Sequence, residues 1–157
     1  MTRSGSPKQR IALRIALSIE SVSMILLPDV RVHLIQLALA MRERAYCPYS
    51  GYRVGAALLA EDGVAYSGCN VENASYGGTI CAERTALVKA ISEGARRFSA
   101  LAVATANGGT PCGICRQFLY EFAPDLHIIL VDAAGVVRAE HCLRDLLPHG
   151  FGAAHLE

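Results

Sequence analysis

The sequence has almost no net charge with which to hold a polyanion. Its 15 Lys and Arg stand against 14 Asp and Glu, a formal net charge of +1, and the basic residues are scattered rather than gathered into a stripe. This excludes the electrostatic footprint of a nucleic-acid binder and favours a small, nearly neutral ligand. A membrane span is also lacking, because the apolar stretch Ile15 to Leu27 is too short and is interrupted by Glu20. Arg3, Lys8, Arg10 and Arg14 precede it, but no small-residue cleavage site follows, so the segment resembles a poor signal peptide or transit segment. Residues 1–29 are read as an N-terminal extension, open between a targeting, interaction or disordered segment and an extra helix, and residues 30–157 as one domain. No internal repeat and no low-complexity tract is present. The five histidines show no paired spacing and receive no role.

Without a convincing secretory signal, and in a chain large enough to bury a core without staples, the six cysteines read as reduced, with some used for chemistry. A cytoplasmic location follows as the expectation. The 52% apolar content and mean hydropathy of +0.31 exceed those of an average soluble domain, so either much surface is buried between subunits or some segment lies outside the globule.

Leu34, Leu37, Ala38 and Met41 recur at helical spacing, which predicts a helix from Val32 to Arg44. Tyr52 to Ala60 and Val64 to Cys69 are β-prone runs around Glu61-Asp62-Gly63 and read as a hairpin. A helix is expected from Cys81 to Ile91, a strand from Phe98 to Ala106, a helix from Pro111 to Phe122 and a strand from Leu126 to Val131. A short strand, Val136 to Ala139, and a short helix, Cys142 to Leu147, complete the pattern. Strands alternating with helices imply an α/β layered sheet.

Cys112 and Cys115 lie three residues apart at the start of a helix, so both sulfurs occupy one face of its first turn. The helix N-terminus lowers thiol pKa and stabilises thiolates. A lone Cys-x-x-Cys is equally compatible with a redox pair. Cys81, which opens the other helix, argues for metal: if the two helices point the same end forward, three sulfurs converge and leave a fourth position for water, as at a catalytic zinc. Glu83, in the first turn after Cys81, can then serve as base toward that water.

Cys81-Ala-Glu-Arg-Thr-Ala followed by Pro111-Cys-Gly-Ile-Cys-Arg-Gln closely resembles the small cytidine deaminases. The resemblance runs from about Leu34 to Leu156 and takes in Ala45-Tyr-Cys-Pro-Tyr-Ser, Val54-Gly-Ala-Ala-Leu-Leu, Gly68-Cys-Asn-Val-Glu-Asn and Leu146-Leu-Pro. It implies a three-layer α/β cytidine-deaminase-like fold with a mixed five-stranded sheet and helices on both faces. It implies one Zn2+ per subunit on Cys81, Cys112 and Cys115, with Glu83 moving a proton from the attacking water to ring N3 and then to the departing amine. Asn70 and Glu72 match positions that bind the ribose hydroxyls, Tyr52 an aromatic that packs on the base, and Ala82 stands with them on the substrate side. Tyr52 occupies a position where many relatives carry Phe. Arg84 matches an arginine that hydrogen-bonds the zinc thiolates. The resemblance further implies a homotetramer in which Phe151 covers a neighbour's site, with Tyr49 beside it. The departures are the N-terminal extension, Gly77-Gly78-Thr79 and His141-Cys142.

The expected activity is therefore hydrolytic deamination of cytidine and 2'-deoxycytidine in pyrimidine salvage, on a free nucleoside, with no nucleic acid or membrane partner. A cytosine-bearing antibiotic is the nearest alternative substrate, since the zinc motif reads the ring and not the sugar; Asn70 and Glu72 favour ribose, although without the resemblance they read first as turn residues after a strand. A deaminase of polynucleotides would need basic and aromatic surface that the chain lacks. A zinc-stabilised scaffold would need a fourth protein ligand, and Cys69, Cys142, His127 and His141 lack the spacing for it.

Overall fold

The computed structural model describes residues 26–156. The extension expected over 1–29 lies almost entirely outside the described residues. At its edge the sequence reading needs correction: the first helix, α1, spans Pro28–Arg42 and starts four residues before the expected Val32. Pro28 occupies the first helical turn, where its missing N–H goes unneeded, and Asp29 complements the helix dipole there. Leu26 and Leu27 pack against the core beside this helix.

The strands are β1 (Gly55–Ala60), β2 (Ala65–Cys69), β3 (Phe98–Ala104), β4 (His127–Val131) and β5 (Val137–Cys142). They form one mixed sheet in the order β2-β1-β3-β4-β5, antiparallel throughout except for the parallel pair β3 and β4. Helix α2 (Ala82–Ser92) carries the chain from β2 to β3, and α3 (Gly113–Tyr120) from β3 to β4; a single turn, α4 (Leu143–Leu146), follows β5.

β1 and β3 are buried along their whole length, which period-2 burial of the two sheet faces explains. Ala56, Leu58 and Ala60 face one core with Leu101 and Val103, closed by Ala82, Ala86 and Leu87 of α2 and Leu119 of α3. Ala57 and Leu59 face the other core with Ala100 and Ala102, closed by Val30, Leu34 and Ala38 of α1. Helices thus cover both faces, giving three layers. The small residues of β1 and β3 let the helices approach closely. At Gly68 of β2 an added Cβ would lie 2.6 Å from the Ala86 nitrogen and 2.9 Å from the Ala82 carbonyl oxygen, so only glycine allows α2 to settle where it does.

Most element limits shift by one or two residues from the sequence reading. The larger differences have physical causes. β1 starts at Gly55 rather than Tyr52, because Asn70 Oδ1 accepts the Val54 N–H and its Nδ2 donates to the Tyr52 carbonyl, which replaces ladder pairing there. β5 continues through Glu140 and His141 to Cys142 instead of ending at Ala139, because Arg31 and His127 bind the Glu140 carboxylate and make an acidic residue acceptable on that strand.

Candidate active site

Both ligand-bearing helices begin at a cysteine. Cys81 is the N-cap of α2 and Cys112 that of α3, each with extended backbone and neither with a side-chain capping hydrogen bond. The expected helix over Pro111 to Phe122 is shorter at its start for this reason: an extended Cys112 aims its sulfur off the helix end, and Pro111 stays outside. Cys115, in the first turn of α3, is buried and points to the same place.

The Sγ atoms of Cys81, Cys112 and Cys115 lie within 4.8 Å of one another, with Cys81 and Cys112 3.9 Å apart. Sulfurs at about 2.3 Å from a tetrahedral zinc are separated by about 3.8 Å, so this spacing fits the ion. Among the described residues no other group of three potential ligands is close enough to hold a metal. The fourth position therefore has no protein ligand among them, which favours a catalytic over a closed structural zinc.

Electrostatics agree with the spacing. The Cys81 thiol is brought down to about 5, first by the S–H of Cys115 hydrogen-bonded to it and then by Arg84. Cys115, the donor in that pair, moves in the opposite direction. A divalent cation bound among these sulfurs takes the place of their protons. Arg84 Nη2 lies 3.8 Å from Cys81 Sγ and donates to the Thr79 carbonyl at 3.3 Å, while its buried Nε has no hydrogen-bond partner. A guanidinium with an idle donor beside three thiolates suits a site whose ligands exceed the charge of a divalent ion by one.

Glu83 is 4% exposed in the first turn of α2, two residues from Cys81. Burial pushes its carboxyl up to about 7, opposed by its own amide and reinforced by the charge on Cys81. Such a group accepts and returns a proton near neutral pH. Ala82, between Cys81 and Glu83, is wholly buried in the core.

The sugar-side candidates form a second group. Asn70, 8% exposed, uses one oxygen lone pair and one N–H within the chain and keeps one of each. Glu72 accepts hydrogen bonds from the Tyr49 and Ser50 amides at 2.9 and 3.2 Å and from the Ser50 hydroxyl. Chiefly that hydroxyl holds its carboxyl below the ordinary range, so it is an anion with acceptor sites to spare. Tyr52 is exposed, with its hydroxyl donating to Asn107 Oδ1 at 3.1 Å. Tyr49 packs edge-on against Tyr76, and exposed Phe151 stacks on His155. Gln117 of α3 holds the Phe151 carbonyl at 2.7 Å, which brings the C-terminal segment back to a metal-bearing helix.

Four contributors, Arg116, Ser50, Thr105 and Asn107, have no sequence signal strong enough to assign them a role. Arg116 donates to the Pro111 carbonyl, the Leu146 carbonyl and Thr110 Oγ1 at 2.7 to 2.9 Å, fixing the approach to Cys112. Ser50 orders Glu72, and Thr105 with Asn107 shapes the loop before Thr110. Only the place of Arg116 directly after Cys115 hinted at a part in the site.

A layered mixed sheet that aims two helix starts and three cysteines at one point, with a buried glutamate in reach, defines a zinc-dependent deaminase-type centre. Comparison with known proteins narrows this. The model for the cytidine and deoxycytidylate deaminase zinc-binding region matches residues 29–131. A cytidine deaminase of Sporosarcina psychrophila is 49% identical over 118 residues, 73% of this chain and 86% of the relative. One of Halalkalibacterium halodurans is 49% identical over 126 residues, 78% of this chain and 95% of the relative. The crystal structure of cytidine deaminase from Burkholderia pseudomallei superposes with a TM-score of 0.72 at 48% identity, covering 76% of this chain and 98% of that one. The chain belongs to the cytidine deaminase family.

Proposed function

We propose that this protein converts cytidine and 2'-deoxycytidine to the corresponding uridines in pyrimidine salvage, consuming one water and releasing one ammonia per turnover. The observation that carries this reading is the three-cysteine cluster with buried Glu83 two residues from Cys81. When bound, zinc supplies Lewis acidity that brings the pKa of a water near 7. Glu83 takes one proton from the attacking water as its oxygen bonds to C4 and delivers it to N3; it then takes the remaining proton from the new C4 hydroxyl and gives it to the amine, so that C4=O forms as the C4–N bond breaks and ammonia leaves. Asn70 and Glu72 receive the ribose hydroxyls, using the N–H and acceptor sites they keep free, and the Tyr52 ring packs against the base. Backbone at Ala82 lines the base edge. Arg84 offsets the thiolate charge.

The protein works in the cytoplasm as a homotetramer with Phe151 and Tyr49 at a site shared between subunits. Support comes from the reduced cysteines and from large apolar side chains left exposed on one chain, such as Ile114 at 64% and Phe151 at 54%. No helix among the described residues is long and apolar enough to cross a membrane. The near-neutral charge supports a free nucleoside rather than a polynucleotide.

The test is the absorbance change on mixing zinc-loaded protein with cytidine, beside Glu83→Ala. Conversion by the wild type and loss in the variant is the expected result. No conversion by either protein, with zinc bound, would overturn the cytidine reading.

A further inference from the structure

We infer that the Tyr52 hydroxyl is a positioning group that ties the sugar side of the site to the loop delivering the metal-side cysteine Cys112. Its functional consequence rests on the deaminase reading above; the tie itself rests on geometry.

Tyr52 is held at three points. Its amide donates to Ser50 Oγ at 3.0 Å, and that hydroxyl donates onward to Glu72. Its carbonyl accepts from Asn70 Nδ2 at 2.8 Å. The backbone of Tyr52 is thus set by both of the residues assigned to the sugar. Its side chain reaches the other way. The hydroxyl donates to Asn107 Oδ1 at 3.1 Å, beyond the end of β3. Buried Thr105 accepts from the Gly109 amide at 2.8 Å and from the Asn107 amide at 3.4 Å, which folds residues 105–109 into a compact loop.

That loop has little freedom left. Arg116 clamps its far end at Thr110 and Pro111, immediately before Cys112, so the Tyr52 hydroxyl and Arg116 grip the two ends of a short segment. The fit is close on the Tyr52 side: an added Cβ on Gly109 would lie 2.9 Å from the hydroxyl oxygen. Exposed Tyr52 could satisfy its hydroxyl with water; its bond to Asn107 instead spans 55 residues of sequence and couples the ring that meets the base to the segment that places a metal ligand.

Tyr52→Phe keeps the ring and removes the tie. Asn107→Ala removes the acceptor, and Asn107→Asp keeps one. For cytidine, Tyr52→Phe and Asn107→Ala are expected to raise KM about fivefold each, the equivalent of one ordinary hydrogen bond, with a smaller change in kcat. The double variant should be no worse than Asn107→Ala, which also removes the acceptor of the Thr105 hydroxyl at 3.4 Å, and Asn107→Asp should stay within about twofold of wild type. A readout independent of turnover is amide hydrogen exchange at Asn107 and Gly109, expected to quicken about fivefold in Tyr52→Phe. Wild-type KM together with wild-type exchange in Tyr52→Phe would overturn the inference, as would additive losses in the double variant. Failure of the wild type itself to deaminate cytidine would overturn the substrate reading instead, and the exchange measurement would then judge the tie alone.

Discussion

Glu83 owes its chemistry to where its helix starts. Placed in mid-helix, a buried carboxyl would need a charged partner; in the first turn of α2 it has its own amide and the positive end of the helix, and remains titratable near pH 7. Replacing it with Gln keeps the volume and removes the proton carrier. Glu83→Gln is expected to lower kcat by about 10²–10⁴, with zinc content by metal analysis unchanged. The pairing of Cys81 with Glu83, and of Cys112 with Cys115, was readable because all four act at helix starts, where spacing and dipole are local properties of sequence. Tyr52 was readable only in part. Its ring follows from its match to an aromatic position of the family, but its hydroxyl bonds to Asn107, far along the chain, and no local pattern encodes that contact.

At the scale of elements, α3 is a short helix whose first turn is tied to its surroundings by Arg116. Arg116 satisfies two carbonyls and a hydroxyl drawn from the preceding loop and from α4. Arg116→Met retains the aliphatic stem and strands those acceptors, so a loss of about 1–3 kcal/mol in unfolding free energy by urea titration is expected. On the opposite face, α1 is fastened to β5 by Arg31, whose Nη1 and Nη2 reach Glu140 at 2.7 and 2.5 Å, with His127 Nε2 at 2.6 Å. Arg31, with His127 in support, lowers the Glu140 carboxyl to about 2 from an ordinary 4.5. Because the folded value is the lower one, this contribution is complete above about pH 4.5 and fades as pH falls toward 2. Glu140→Gln should therefore cost stability at pH 7, no more than about 1 kcal/mol since the group is one-third exposed, and the two proteins should converge near pH 2. The same contact explains why β5 outruns its sequence signal. By its sequence the strand ends at Ala139, and it is Arg31 of α1, more than a hundred residues earlier in the chain, together with His127 of β4, that makes Glu140 a good strand residue.

The whole molecule joins two apolar cores through a sheet whose central strands are mostly alanine, leucine and valine. This alternation and the helix order were plain in the sequence; the beginning of α1 was not, because Leu26 and Leu27 merge with the apolar run before them. Light scattering is expected to give a mass of four chains of 16.8 kDa. Zinc binds the folded state through groups brought together only by folding, so excess chelator should lower Tm, and zinc at a hundredfold over its Kd should restore about 5–10 °C.

The cysteine that opens each metal-bearing helix also takes the position where Ser, Thr, Asp or Asn ordinarily accepts a hydrogen bond from the first-turn amides. Two helices have thus surrendered their individual caps to one shared centre. Their first turns are held not separately but together, and they should fray together: an ion lost from the cysteines would loosen Glu83 on one helix and the Cys115 turn on the other in the same event. The melting curve of this protein is in that sense a gauge of free zinc, and the first amides to exchange in metal-free protein should be those of both helix starts at once.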